Sequence, residues 1–196
     1  GESFSQGTWL HLRLDVIVND NGDVVLKVLR NDLGAHPLGA PPDWQPSPDL
    51  TRFLESGPPP VYIGFGSMSH GDPAYQTRLV LRALALSGQR GVLATGWGGI
   101  SQQDTPADVF VVESVPHGWL FPRMAAVVHH GGAGTTGAGL AAGIPNIITP
   151  FASNDQPAWA ERGEALGVGT RLSPVKKLSA EELAQAIRQA ATDSHM

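Results

Sequence analysis

A short run of histidines, glycines and threonines, HHGGAGTT at residues 129–136, is the segment of this chain best suited to bind an anion. An apolar run at residues 125–130 leads into it and reads as a buried strand, and Thr135 and Thr136 are placed to open a helix. Glycine lets the backbone turn sharply and approach a ligand because it has no Cβ. A helix N-terminus adds unpaired N–H groups and the positive end of the helix dipole. The pattern predicts a phosphate site to which His129 could add an imidazole N–H.

Two other interpretations of this turn stay open. Its glycines could serve only the tight packing of a strand against a helix, with both histidines hydrogen-bonded at the surface. The spacing Gly132-x-Gly134-x-x-Gly137, with Asp155 eighteen residues further on, also matches the dinucleotide-binding fingerprint. That fingerprint usually follows the first strand of its sheet, whereas about three strands are expected before this one. A P-loop is excluded, because the chain has no Gly-Lys-Ser/Thr.

The elements that must position the turn alternate along the chain. From residue 61 onward, short runs rich in Val and Ile alternate with helix-like stretches, as is typical of a parallel sheet covered on both faces. Strands are expected at residues 61–67, 91–97, 109–115, 125–130, 146–151 and 168–172, and helices at 73–87, 119–124 (a short turn), 135–142, 156–166 and 179–191. The expected fold class is α/β, a Rossmann-like doubly wound parallel sheet of about six strands that binds ligands at the carboxyl ends of its strands.

The first sixty residues differ from this pattern. Residues 1–36 contain two apolar segments around the turn NDNG at residues 19–22, which predicts a β-hairpin. Its origin could be a fused segment, an artificial recombination (a chimera) or a natural insertion. Residues 37–60 hold eight of the sixteen prolines and are interpreted as a linker without regular structure. The α/β domain is expected to occupy residues 61–196.

Composition excludes several classes of function. The formal charge of −5 gives the chain no general attraction to nucleic acid or to anionic lipid. Without cysteine there are no disulfides, thiolate metal sites or cysteine nucleophiles, and no apolar run approaches the roughly 20 residues of a transmembrane helix. No acidic cluster suggests a metal site. We expect a cytoplasmic protein that binds a small ligand, with no nucleic acid partner and no transmembrane segment.

Further motifs make a more specific comparison possible. Besides the turn, the chain contains PPPVYIGFGSM at residues 58–68, GWGG at 96–99, SVPHGWLFP at 114–122 and DQ at 155–156. In this order and spacing they resemble the sterol and natural-product glucosyltransferases, enzymes of the two-domain GT-B architecture. The likeness spans roughly residues 44–191. It implies that this chain is the C-terminal half of a GT-B fold, which binds a nucleotide sugar without a metal or another cofactor.

The resemblance assigns three groups of donor contacts. The diphosphate would be held by amides, hydroxyls and an imidazole, from Ser67, His129, Gly132, Ala133, Gly134, Thr135 and Thr136. The nucleobase would be bordered by Trp97, Val115 and His117. The sugar hydroxyls would meet Asp155 and Gln156, since a carboxylate accepts hydrogen bonds and an amide also donates them. The expected donor is a UDP-sugar, with a TDP-sugar as the second choice. The segment at residues 151–156 is one residue longer than the family's usual form, which leaves the sugar open between glucose and another hexose.

The resemblance also implies a partner domain, N-terminal in the family, that carries the acceptor pocket and the general-base histidine. Residues 1–40 do not resemble it, so no catalytic residue is assigned, and the α/β domain is expected to be truncated at its C-terminal end. We expect the chain to bind a nucleotide sugar but to transfer little or none by itself, its parent being a hexosyltransferase acting on a hydroxyl of a sterol, lipid or natural product. Two alternatives stay open: an engineered or non-catalytic carbohydrate-binding or structural module, and a dinucleotide-dependent oxidoreductase.

Overall fold

The computed structural model describes residues 12–18, 24–30, 43–65, 73–94, 105–151 and 155–192. The chain forms two compact units, Gly1–Pro37 and Leu38–Met196. In the first unit, β1 (Leu12–Val18) pairs antiparallel with β2 (Val24–Arg30) in a two-stranded sheet. The two strands of the predicted hairpin are therefore confirmed, while its turn lies outside the described residues.

The second unit alternates strands and helices in the predicted order. Its strands are β3 (Val61–Gly64), β4 (Gly91–Ala94), β5 (Val109–Val112), β6 (Ala126–His129), β7 (Asn146–Ile148) and β8 (Gly169–Arg171). Its helices are α1 (Pro48–Glu55), α2 (Pro73–Ser87), α3 (His117–Leu120), α4 (Ala133–Ala141), α5 (Gln156–Ala165) and α6 (Ala180–Thr192), with 3-10 turns at Phe121–Arg123 and Val175–Lys177. The predicted α/β class is confirmed.

The strands of this unit form a six-stranded parallel sheet in the order β5-β4-β3-β6-β7-β8. The first strand of this sheet along the chain is β3, in its centre; β4 and β5 follow outward on one side, and β6 lies on the other side of β3. Strand order reverses between β3 and β6, which end side by side with Gly64 opposite His129. In doubly wound sheets such a reversal opens a crevice for ligands outside the carboxyl ends of the strands. The glycine-rich turn follows β6 at this point.

Two apolar layers cover the sheet, one on each face. Val61 and Ile63 of β3 belong to the layer that includes Val80 of α2 and Ile187 of α6. Tyr62, between them, belongs to the other layer, which α1, α3 and α4 complete. All residues of β3 and β6 are buried. Burial on both faces explains why these strands read as continuous apolar runs in the sequence.

The expectation that residues 37–60 form no regular element is wrong for α1. Proline suits the first turn of a helix, where its missing N–H would be unpaired in any case, and Pro48 stands there. Ser47 caps the helix by accepting a hydrogen bond from the Leu50 N–H at 3.2 Å. Leu50 and Phe53 are buried in the layer beneath the helix. Helix α1 is therefore part of the α/β unit and not of a linker.

The predicted boundaries differ at both sides of the turn. Helix α4 begins at Ala133, with Gly132 as its N-cap, and not at Thr135. The Thr136 N–H already donates to the Gly132 C=O at 2.9 Å, so the helix includes the middle of the glycine-rich turn.

None of the described helices is long and apolar enough to cross a membrane. The cytoplasmic location stays a prediction.

Candidate functional site

Gly131 makes the reversal from β6 into α4. Its φ is +90°, a conformation that residues with a side chain rarely adopt. A Cβ at this position would lie 2.8 Å from Ile148 Cγ2 and 3.1 Å from the Gln156 carbonyl oxygen. Both the backbone conformation and the space therefore require glycine here.

The next two glycines leave room at the surface of the turn. A Cβ on Gly132 would lie 2.6 Å from His130 Nε2, so this glycine makes space for the ring. A Cβ on Gly134 would meet no atom within 4 Å in the described structure, and Gly134 itself is exposed. Ala133 and Thr135 are partly exposed beside it. The N–H groups of this first helical turn, which lack acceptors within the helix, are accessible to an anion.

His129 does not face this open space. Its side chain is fully buried, and both ring nitrogens have partners inside the protein. The Gly131 N–H donates to Nδ1 at 3.1 Å, so the ring proton is on Nε2, which donates to Asn146 Oδ1 at 3.0 Å. Burial lowers the pKa of His129 to about 3 and keeps the ring neutral. The prediction that His129 donates to a phosphate is therefore wrong, because both ring nitrogens are bonded inside the protein. The ring supports the turn from its buried side.

His130 is the histidine that reaches the site. Its ring is partly exposed and lies against Gly132, while Nδ1 is buried without a hydrogen-bond partner in the described part of the chain. Burial lowers the pKa of His130, and the charge of Asp155 acts in the opposite direction. Sequence reasoning missed this residue, although a signal was available. The first residue after a fully buried strand lies at the carboxyl end of the sheet, where ligands bind.

Thr136 is also placed differently from the prediction. It is 2% exposed, and its hydroxyl donates to the Gly132 C=O at 3.0 Å. A phosphate oxygen can only accept from this part of the turn, and both the N–H and the O–H of Thr136 are already donated to Gly132. The predicted donors that are at least partly exposed are those of Gly132, Ala133, Gly134 and Thr135.

The predicted sugar contacts lie next to the turn, at the start of α5. Asp155 is exposed and is close enough to His130 for its charge to affect that ring. Gln156 is 2% exposed, and its Oε1 accepts from the Phe151 N–H at 2.8 Å. The backbone of Gln156 also lies against Gly131. The structure therefore brings Asp155 to the site, while the side-chain oxygen of Gln156 is occupied by the Phe151 N–H.

The predicted nucleobase contacts follow β5, on the other side of the switch point. Val115 is partly buried against the apolar layer. His117 begins α3, its ring stacks on Phe121 with centroids 4.4 Å apart, and its Nε2 is 3.3 Å from the Tyr62 hydroxyl oxygen. Burial lowers the pKa of His117 and raises the pKa of Tyr62 to about 12, so the pair is neutral. Protonation of His117 would disfavour protonation of His129, so the two rings lie near each other at the same edge of the sheet.

Other predicted features lie outside the described residues, namely Ser67, Trp97 and residues 152–154 of the unusually long segment. Their contacts stay predictions. Within the described ranges, no three His, Asp or Glu side chains are grouped as metal ligands would be. That the site works without a metal also stays a prediction.

Comparisons with known proteins agree on one family. Residues 98–196 match the family described as "Erythromycin biosynthesis protein CIII-like, C-terminal domain". The chain is 47% identical over 146 residues to sterol 3-beta-glucosyltransferase UGT80A2 of Arabidopsis thaliana, which covers 74% of this chain and 23% of that protein. It is 47% identical over 151 residues to vancomycin aglycone glucosyltransferase of Amycolatopsis orientalis, which covers 75% of this chain and 36% of that protein.

A solved structure, glycosyltransferase VinC in complex with dTDP, is similar with a TM-score of 0.58 and 26% identity over 72% of this chain and 36% of that chain. The chain thus spans between about a quarter and about a third of the length of these relatives. The family match includes the glycine-rich turn, α4 and the start of α5. The chain therefore belongs to the EryCIII-like C-terminal domain family, a glycosyltransferase domain of the GT-B type.

Proposed function

We propose that this chain binds the nucleotide-sugar donor of a glycosyltransferase and holds its diphosphate at the start of α4. One observation carries the proposal furthest: the partly exposed ring of His130 lies against Gly132, the N-cap of α4, with Nε2 on that side, at the switch point of the sheet. An imidazole N–H and several backbone N–H groups at one place match the oxygens of a diphosphate. We assign the phosphate contact to His130, Ala133, Gly134 and Thr135.

The chemistry that such a site supports is the departure of a nucleoside diphosphate. In hexosyl transfer an acceptor hydroxyl attacks the anomeric carbon, the bond from that carbon to the diphosphate oxygen breaks, and the acceptor proton passes to a general base. The leaving diphosphate gains negative charge as the bond breaks. Donors fixed at the start of α4 stabilise that charge because they are oriented before the reaction begins. The acceptor and the base would be supplied by the partner domain that the family resemblance implies.

The donor that we propose is a UDP-hexose, with glucose as the sugar. Two relatives are glucosyltransferases by name, which supports glucose. The dTDP in the VinC complex keeps a TDP-sugar as the second choice. Asp155, exposed beside His130, is the residue that we assign to the sugar hydroxyls. The acceptor would be a hydroxyl of a sterol, a lipid or a natural product, in line with the sterol and vancomycin aglycone named for these relatives.

Isothermal calorimetry of the full chain with UDP, UDP-glucose, TDP-glucose, uridine and NAD tests this proposal. We expect UDP and UDP-glucose to bind with one-to-one stoichiometry, and uridine to bind at least about tenfold more weakly, because it lacks the charged groups that the turn holds. Binding of NAD alone would favour a dinucleotide site and overturn the proposal. Absence of binding by every nucleotide would favour a non-catalytic module instead.

A further inference from the structure

We propose that Asn146 is a positioning residue for the diphosphate turn: its side-chain amide fixes the ring proton of His129 on Nε2 and so preserves the Nδ1 acceptor that holds Gly131. Asn146 begins β7, is 1% exposed and does not line the open side of the turn. It acts on the site only through the ring of His129. The inference rests on the proposed function, since its effect is measured as nucleotide affinity.

The orientation of the Asn146 amide is fixed on two sides. Its Nδ2 donates to the Ile144 C=O at 3.1 Å, which turns Oδ1 toward His129. A rotated amide would place its oxygen against the Ile144 carbonyl, where two acceptors would face each other. Helix α4 lies directly above, and a Cβ on Gly139 would be 2.8 Å from Asn146 Cγ. Gly139 therefore gives the amide its space, and the packing holds it in place.

The fixed amide then selects one tautomer of His129. A neutral imidazole has one N–H, and the Oδ1 of Asn146 requires it on Nε2. Nδ1 is left as an acceptor, which is what the Gly131 N–H needs. The other tautomer would set two acceptors against each other at Asn146 and two donors at Gly131. A protonated ring would produce the same clash at Gly131, and burial together with the nearby His130 and His117 disfavours it.

The hydrogen bond to Gly131 sets the direction of the whole turn. Gly131, with its φ of +90°, directs the backbone from the end of β6 into the N-cap of α4. Its N–H points inward to His129, so the peptide plane between His130 and Gly131 has one orientation. The orientation of that plane determines the positions of the His130 ring and of the N–H groups at the start of α4. An apolar residue at position 146 would leave Nε2 without its acceptor, and the Gly131 N–H alone would then favour the present tautomer.

A double-mutant cycle on UDP affinity tests this inference, with wild type, Asn146→Ala, His129→Ala and the double variant measured by calorimetry. We expect Asn146→Ala to weaken UDP binding about fivefold, the effect of one lost hydrogen bond. In the background of His129→Ala, the same change is expected to have less than about a twofold effect, since the ring through which it acts is gone. Nitrogen-15 NMR of the ring is expected to show the proton on Nε2 in wild type and a mixture of tautomers in Asn146→Ala.

The control is Ser87→Ala, which removes another buried hydrogen bond, from Ser87 Oγ to the Leu84 C=O at 2.8 Å, at the far end of α2. It is expected to lower the melting temperature and leave UDP affinity unchanged. Unchanged UDP affinity in a folded Asn146→Ala, or equal effects of that change with and without His129, would overturn the inference. If Asn146→Ala does not fold, finding the ring proton of wild-type His129 on Nδ1 would by itself overturn the inference. Failure of the wild type to bind UDP would refute the proposed function. The NMR measurement would still show which ring nitrogen of His129 carries the proton.

Discussion

Replacing His130 with alanine is expected to weaken UDP binding about 10- to 100-fold, the range for a hydrogen bond to a charged group, while the free energy of unfolding stays nearly constant. The ring makes no hydrogen bond through Nδ1 in the described part of the chain, so folding loses little when it is removed. The bound diphosphate, in contrast, loses the imidazole donor beside α4. Calorimetry with UDP and urea unfolding followed by circular dichroism measure the two effects separately.

The adjacent histidine is the matched control for this change. His129 is fully buried and joins Gly131 to Asn146 through both ring nitrogens. His129→Ala is therefore expected to lower the free energy of unfolding by about 2–4 kcal/mol, because it leaves a cavity and removes two hydrogen bonds. It is also expected to weaken the binding of UDP. A His130→Ala variant that binds UDP as tightly as wild type would show that the imidazole facing the site does not hold the phosphate.

Replacing Gly131 with alanine is expected to have the largest effect on both stability and binding. Alanine at a φ of +90° is strained, and its Cβ would collide with Ile148 and with the backbone of Gln156. Strain and overpacking together are expected to lower the free energy of unfolding by about 2–4 kcal/mol. Because the turn must shift to relieve the contact, its N–H groups move away from the diphosphate, and UDP affinity is expected to fall about 100-fold, the effect of losing one or two hydrogen bonds to a charged group.

The control for Gly131 is a glycine that lies inside a helix and has room for a side chain. Gly163 lies within α5, and a Cβ there would meet no atom within 4 Å in the described structure. Gly163→Ala is expected to raise the free energy of unfolding by about 0.5–1 kcal/mol, because alanine favours the helix, and to leave UDP affinity unchanged. A Gly131→Ala variant with wild-type stability and affinity would mean that the turn does not depend on its left-handed glycine.

Much of the fold can be predicted because its signals are local. The buried strands β3 and β6 are continuous apolar runs, and α2 has the predicted bounds of residues 73–87. Helix α1 is missed when the prolines of residues 37–60 are counted without regard to their positions. Pro48 is at the helix start, where proline is compatible with the helix, and Ser47 supplies the cap. Position relative to a cap decides what a proline does, and a count of prolines does not contain that information.

The site is predicted less completely, because its details depend on contacts between distant residues. The sequence places two histidines at the turn but does not tell which ring is buried. His129 is the last residue of β6, and His130 is the first residue after it. Asn146 lies seventeen residues from His129, and the two meet only because β6 and β7 are neighbours. The start of α4 at Ala133 likewise depends on the reversal at Gly131, which helix propensity does not describe.

The central claim, that a donor diphosphate binds at the start of α4, is tested most directly by a proton–nitrogen NMR titration of the chain with UDP-glucose. The account predicts the largest shifts at the backbone amides of Ala133, Gly134 and Thr135 and at the ring nitrogens of His130, with the ring of His129 retaining its proton on Nε2. Saturable binding that shifts residues elsewhere and leaves these amides unchanged would contradict it.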